Sequence, residues 1–254
     1  MDFISTYSEI SKLESQAITV WLFKINNLLK HCLKLNSLLS NDERSRSEAF
    51  HFKVDSKRYI CAHGMLRLLL AYYTASNPVL LKLTSDSTNK PRLADFDNIK
   101  FNLSHTKDWI ALALAIRREV GIDIEKCIPL ANVDDMSRNI MHENELLEYL
   151  SLPDFKKNDY FYRCWAKKES VVKAWGTGLY EDLRQIKVMN SIYPYISSKK
   201  VTRKNNLVKN WTIEDFDAPA QHFGSVCYEG SLADIKLADE TASKPILSVF
   251  NLDF

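Results

Sequence analysis

An α+β fold in two halves meeting near residue 118 is what the sequence predicts. Two observations carry that prediction. Long stretches with apolar residues at helical spacing stand at 54–75 and 154–175, and both are broken by a stop signal. Between and after them lie short runs of alternating or β-branched residues, such as WIALALAIR and VGIDIE.

The elements follow in order. AITVWLFKI (17–25) is rich in β-branched and aromatic residues and reads as a first strand. Helical pattern continues over 26–37. Ser40 precedes acids and opens a helical run over 40–50. Asp55 serves as the expected cap of the next helix, in which Tyr59, Met65, Leu66, Leu69, Leu70 and Tyr73 share a face. Asn77-Pro78 ends it. VLLKLT (79–84) and IKFNLS (99–104) read as strands. In 109–117 the small residues Ala111, Ala113 and Ala115 alternate with Ile110, Leu112, Leu114 and Ile116, so one face is crowded and the other bulky. Arg117, Arg118 and Glu119 make a turn, and 109–125 is expected to be a hairpin. Helices are expected at 131–139, 142–150 and 154–175, with Gly176 and Gly178 stopping the last. WTIEDFD (211–217) and HFGSVCYE (222–229) read as strands.

Composition narrows the class. The chain has 254 residues, 46% hydrophobic and 26% charged, with 6 Gly and 7 Pro, which excludes long disorder. A net charge of +2 gives no electrostatic case for nucleic acid. Five scattered cysteines form no CxxC pair, against a disulfide framework or a zinc knuckle and in favour of a reducing compartment. The first residues lack the basic and apolar regions of a signal peptide, and no apolar run reaches bilayer length. A soluble, cytoplasmic protein without a membrane partner is the expectation.

Chemistry concentrates in three stretches. In VGIDIEK, Asp123 and Glu125 lie two apart and share one strand face, while Ile122 and Ile124 point to the core. A polar outer face is the plain reading. Two neighbouring carboxylates repel, however, and a hard cation such as Mg²⁺ relieves that conflict. In RCWAKKESVVKAWGTGL, Trp165, Glu169 and Lys173 form one helical row at the edge of the apolar stripe. Lys168 projects into that stripe, where an anionic ligand such as phosphate would account for it. In FNLSHTKDW, Ser104 and His105 stand at a strand end, either an ordinary polar turn or a place to present a hydroxyl and an imidazole. In NKPRL, Lys90 precedes a proline-stiffened turn and reads as surface or as a phosphate contact.

Together, FNLSHTKDWIALALA, VGIDIEK and WAKKESVVKAWGTGL resemble, in order and spacing, the signature blocks of Sfp-type phosphopantetheinyl transferases. A weaker block spans 43–67, and the C-terminal third carries little resemblance. The resemblance implies two similar α/β halves related by a pseudo-twofold axis, 1–118 and 119–254, with the site in the cleft between them. It implies coenzyme A as donor, Mg²⁺ as metal, the serine of an apo carrier protein as acceptor, 3′,5′-ADP as by-product, and a monomer. By the same resemblance Asp123, Glu125 and Glu169 are metal ligands. Glu169 is also the proposed base, and Lys173 lies near the pyrophosphate. Ser104 and His105 hold the 3′-phosphate end of coenzyme A. Lys90 is the lysine of a G-K-P turn whose glycine is Asn89 here, and Arg44, Arg46 and Arg58 belong to a basic block holding phosphates. Lys199, Lys200, Arg203 and Lys204 read first as a solvated loop and second as a docking face for a carrier, and the apolar Met136–Leu147 region is an alternative face. The rival reading is a non-catalytic protein that binds coenzyme A or a carrier.

Overall fold

The structure, a computed structural model, describes residues 17–85, 90–178, 181–189, 201–202, 208–238, 244 and 246–248. In the first half, β1 (Ile18–Lys24) leads into short helices α1 (Ile25–Leu28) and α2 (Cys32–Ser37), then α3 (Asn41–Glu48) and the 22-residue α4 (Lys53–Thr74). β2 (Leu83–Ser85), β3 (Pro91–Leu93), β4 (Ile99–His105) and β5 (Trp109–Ile116) follow. The second half holds β6 (Val120–Lys126), α5 (Val133–Ile140), α6 (Glu143–Leu150) and the 22-residue α7 (Asp154–Trp175). After these come β7 (Val201–Thr202), β8 (Val208–Lys209), β9 (Trp211–Phe216), β10 (His222–Glu229) and β11 (Ile235–Ala238).

Two sheets organise the molecule, in the orders β11-β1-β5-β4 and β6-β10-β9. All neighbours are antiparallel except β1 and β11. The alternation in β5 explains the layering. Its bulky face, Ile110, Leu112 and Leu114, packs with Met65, Leu66 and Leu69 of α4. Each such side chain, fully buried, contributes roughly 1.5–3 kcal/mol. Its alanine face, with Ile18 and Val20 of β1, meets Ile122, Ile124 and Val226 of the other sheet. Small side chains there let the two sheets come close. α7 closes a third core with Trp211, Ile213 and Cys227.

Several expectations are corrected. Residues 109–125 are not a hairpin: β5 pairs with β1 and β4, and β6 pairs with β10. Arg117 takes a positive φ of 57°, and the turn it makes throws the chain from one sheet into the next. α4 begins at Lys53 with Phe52 as its cap, and Asp55 lies inside the first turn. The helical stretch at 26–37 is interrupted at 29–31 by a tighter 3₁₀ turn. Of the expected strand at 79–84 only Leu83 and Thr84 fall in a strand, β2, because Pro78–Leu80 forms a 3₁₀ turn capped by Asn77. The end of the chain packs back on the first half. β11 returns to pair with β1, and Ile246 and Leu247 join the first-half core. The cap at Ser40 and the stop at Gly176, which is left-handed, stand as read, and Glu43 completes a capping box with Ser40.

Candidate active site

Strand alternation puts Gly121, Asp123 and Glu125 on the face of β6 toward α7. Gly121 explains how near the helix comes. A Cβ there would sit 2.1 Å from the Ser170 carbonyl and 2.2 Å from the Ala174 nitrogen. Only glycine admits that approach. With the backbones in contact, the α7 row faces the strand acids. Trp165 Nε1 donates to Glu125 Oε1 at 3.0 Å, and Lys173 Nζ donates to Asp123 Oδ1 at 2.5 Å. Glu169 stands between them on the same row.

β4 grips the same place from the first half. Asn102 Oδ1 accepts from the Ile122 nitrogen at 3.0 Å. Two residues on, Ser104 Oγ donates to Asp123 Oδ1 at 2.8 Å and accepts from Lys173 at 3.1 Å. Asp123 is 2% exposed, and its second oxygen, Oδ2, is buried with no hydrogen-bond partner. Burial and the Asp123 charge push Glu125 up to about 7, against the pull of Trp165 and Lys173. Burial also raises Glu169, with Asp123 adding to it and Lys173 opposing. Three carboxylates therefore share one lysine, and the cluster is short of positive charge. Its all-oxygen donor set and the orphaned Oδ2 suit a hard cation. Among the described residues, no three His, Cys, Asp or Glu side chains are already gathered around one metal position.

Beside this cluster runs a cleft of about 790 Å³ in the first half, walled by Arg46, Phe50, Tyr59, His63, Phe101 and His105 among others. β4 forms one wall and carries Ser104 at the cluster, so cleft and acids adjoin. The Arg46 guanidinium stands 6.0 Å from the Tyr59 ring centroid, and Tyr59 stacks on His63 with centroids 3.9 Å apart. His105 lines the cleft with its outer edge exposed. Crowding by protein atoms holds its pKa below the usual value, and the charges of His63, Lys173 and Arg58 act the same way.

Several expected phosphate contacts have partners within the protein. Lys168 needs no ligand: its ammonium is fully buried on Glu145 Oε2 at 2.7 Å and donates to the carbonyls of Leu183 and Ile186. Lys90 is turned inward, 5% exposed, onto Glu119, Val120 O and Ala174 O. Arg44 braces the start of α3 through Leu39 O at 2.5 Å and Asn41 Oδ1 at 2.6 Å. Arg58 pairs with Asp55 at 2.6 Å and donates to Lys107 O at 3.2 Å, supporting the turn after His105. The Ser104 hydroxyl is spent on Asp123 and Lys173. Lys199, Lys200, Arg203 and Lys204, with Asn89, lie outside the described residues. In the Met136–Leu147 region, Met136 and Leu146 pack inward while Leu147 is 69% exposed.

Four residues that sequence reasoning missed support the site. Asn102 and Gly121 act as above, and a glycine inside a strand was the available signal for the second. Arg67, 1% exposed, holds Glu43 at 2.5 Å in the cleft wall and was marked only by a charge inside LRLLL. Glu145 takes Lys168 and, through Oε1, the nitrogens of Val188 and Met189. It also closes a capping box with His142.

Fold and site together give a cleft partly lined by Arg46, Tyr59 and His105, and on the same strand β4 the contact of Ser104 with a buried aspartate and its lysine. Comparison with known proteins makes this specific. Residues 119–227 match the model of the 4′-phosphopantetheinyl transferase superfamily, and 26–117 match that of the 4′-phosphopantetheinyl transferase N-terminal region. The chain is 30% identical over 170 residues to the 4′-phosphopantetheinyl transferase HetI of Nostoc sp., covering 66% of this chain and 72% of that one. It is 27% identical over 143 residues to the 4′-phosphopantetheinyl transferase Sfp of Bacillus subtilis, covering 56% of this chain and 62% of that one, under two thirds of its length. A solved holo-[acyl-carrier-protein] synthase of Thermotoga maritima is 15% identical, with a TM-score of 0.31 over 45% of this chain and 64% of that one, too slight a likeness to bear on the fold. The chain belongs to the 4′-phosphopantetheinyl transferase superfamily.

Proposed function

We propose that this protein moves the 4′-phosphopantetheine arm of coenzyme A onto a serine of an apo carrier protein. The serine oxygen bonds to the β-phosphorus, and the bond from that phosphorus to the 3′,5′-ADP oxygen breaks. Family membership supports the reaction class. The single observation that carries the site is Asp123: buried, one oxygen held by Ser104 and Lys173, the other without a partner, with Glu125 and Glu169 facing it.

Asp123, Glu125 and Glu169 would hold Mg²⁺, with small side-chain rotations bringing the two glutamates in. When bound, the ion supplies the positive charge that a pyrophosphate needs as its leaving oxygen becomes more negative. Lys173 adds charge at the same place. Glu169 takes the proton of the carrier serine hydroxyl at a carboxylate oxygen. Ser104 keeps Asp123 oriented. Arg46, Tyr59 and His105 offer the cleft's cationic and aromatic surface to the nucleotide end of coenzyme A. Each half sets a 22-residue helix on a largely antiparallel sheet, which supports the pseudo-twofold reading. We take the working unit to be a cytoplasmic monomer that serves no nucleic acid. No helix among the described residues is long and apolar enough to cross a membrane.

The test is intact-mass measurement of apo carrier proteins incubated with this protein, coenzyme A and Mg²⁺, with and without EDTA. Gain of one phosphopantetheine arm, abolished by EDTA, is the expected result. Tight coenzyme A binding without transfer to any fatty-acid or peptide carrier would overturn the reading in favour of a binding protein.

A further inference from the structure

We propose that Lys90 is a positioning residue for the transfer, setting the C-terminal end of α7 against the start of β6. The proposal rests on the transferase reading above and deepens it. It assigns Lys90 a different task from contact with a coenzyme phosphate.

The ammonium of a lysine carries three protons. In Lys90 they go to Glu119 Oε2, Val120 O and Ala174 O, each at 2.9 Å. Val120 is the first residue of β6, the strand of Asp123 and Glu125. Ala174 follows Lys173 on α7, the helix of Glu169. The Ala174 carbonyl belongs to the last turn of α7, where carbonyls have no partner within the helix and a cation is favourable. Lys90 itself comes from the segment entering β3, in the other half. One side chain thus joins three segments.

Two further features lock the same junction. The nitrogen of Ala174 is, with the Ser170 carbonyl, an atom that a Cβ on Gly121 would strike, so residue 174 packs on its nitrogen side against β6 and is held on its oxygen side by Lys90. Glu119 is held in turn by Arg92 at 2.6 Å and lies 3.8 Å from Lys100. From this anchor to Glu169 is five residues, about 7.5 Å of helix. A shift of α7 at Ala174 therefore carries Lys173 and Glu169 with it. At 5% exposure the Lys90 ammonium offers no face to a phosphate, and a phosphate contact would break one of its three bonds.

The experiment compares wild type with Lys90→Met and Glu119→Gln, after circular dichroism has shown which variants fold. Calorimetry gives coenzyme A affinity and the number of competent sites, and also Mg²⁺ affinity. Turnover of an apo carrier is then expressed per competent site. Lys90→Met is expected to bind coenzyme A within about twofold of wild type while kcat per site falls by about tenfold or more. Glu119→Gln is expected to show the same pattern more weakly, and it carries the test alone where Lys90→Met does not fold. A coenzyme A Kd weakened by about tenfold with kcat preserved would make Lys90 a phosphate ligand and overturn the proposal. Wild-type kcat per competent site would make it merely structural and also overturn it. Wild type that binds coenzyme A and Mg²⁺ without transfer overturns the transferase reading instead. The positioning role is then judged on Mg²⁺ affinity, expected about tenfold weaker in Lys90→Met and overturned when unchanged.

Discussion

Lys173 Nζ lies 2.5 Å from Asp123 Oδ1, although fifty residues separate them in the chain. The contact joins the helix acid's neighbour to the strand acid and leaves the second Asp123 oxygen unpaired. It places a cation beside a buried acid, where charge would build in phosphoryl transfer. Removing that cation with Lys173→Ala should lower kcat by about 10²–10³-fold, the usual loss for one preorganised charge donor. Steady-state kinetics at saturating Mg²⁺ decides it. A rate within a factor of a few of wild type would remove Lys173 from the chemistry.

Gly121→Ala tests the backbone contact that brings α7 onto β6. The new methyl would meet main-chain atoms of Ser170 and Ala174, which cannot swing aside. The helix must move, at a cost of about 1–3 kcal/mol from overpacking. Thermal denaturation should show the loss, and turnover should fall further than stability alone explains. A variant with wild-type melting temperature would mean that α7 stands off the strand.

Lys168 and Glu145 form a fully buried ion pair. Lys168→Met leaves the Glu145 charge without its cation and should cost about 3–5 kcal/mol. Coenzyme A affinity of the folded fraction should not change, since the pair faces 183–189 and not the cleft. Denaturant unfolding followed by calorimetry separates the two effects. Weaker coenzyme binding at unchanged stability would return Lys168 to the phosphate site.

Glu43 gives a pH dependence. Burial raises its pKa, but His63, the Ser40 nitrogen and Arg67 together bring it down to about 2 from 4.5. The unfolded chain therefore binds this proton more readily than the folded one. Stability from Glu43 is complete above pH 4.5 and is lost as pH falls toward 2. A shift of that size corresponds to about 3 kcal/mol. Unfolding free energies measured between pH 6 and 2 should fall more steeply for wild type than for Glu43→Gln. Parallel curves would show that the cluster in the cleft wall does not hold the carboxylate.

Much of the site was legible because its residues sit at fixed spacings within single elements. Asp123 and Glu125 share a strand face, and Trp165, Glu169 and Lys173 share a helix row. Those relations depend only on periods of two and of about 3.6 residues. The lysines were not legible in the same way. Lys90 and Lys168 read as free cations because their partners, Glu119 with Ala174 and Glu145 with Ile186, come from other segments. Burial cost predicted that Lys168 needed an anion, and the fold supplied a carboxylate where a phosphate was expected.

The sequence by itself determined the elements that carry chemistry, the α+β class and the set of acids, because local periodicity and capping act over a few residues. Pairing was decided only by the tertiary structure. The turn at Arg117 sends β6 into a second sheet, β11 returns to the first, and the alanine face of β5 packs the two sheets together. Strand alternation is the same whichever partner a strand has, so it says which face is buried and not against what. The meeting of Ser104, Asp123 and Lys173 depends on that choice.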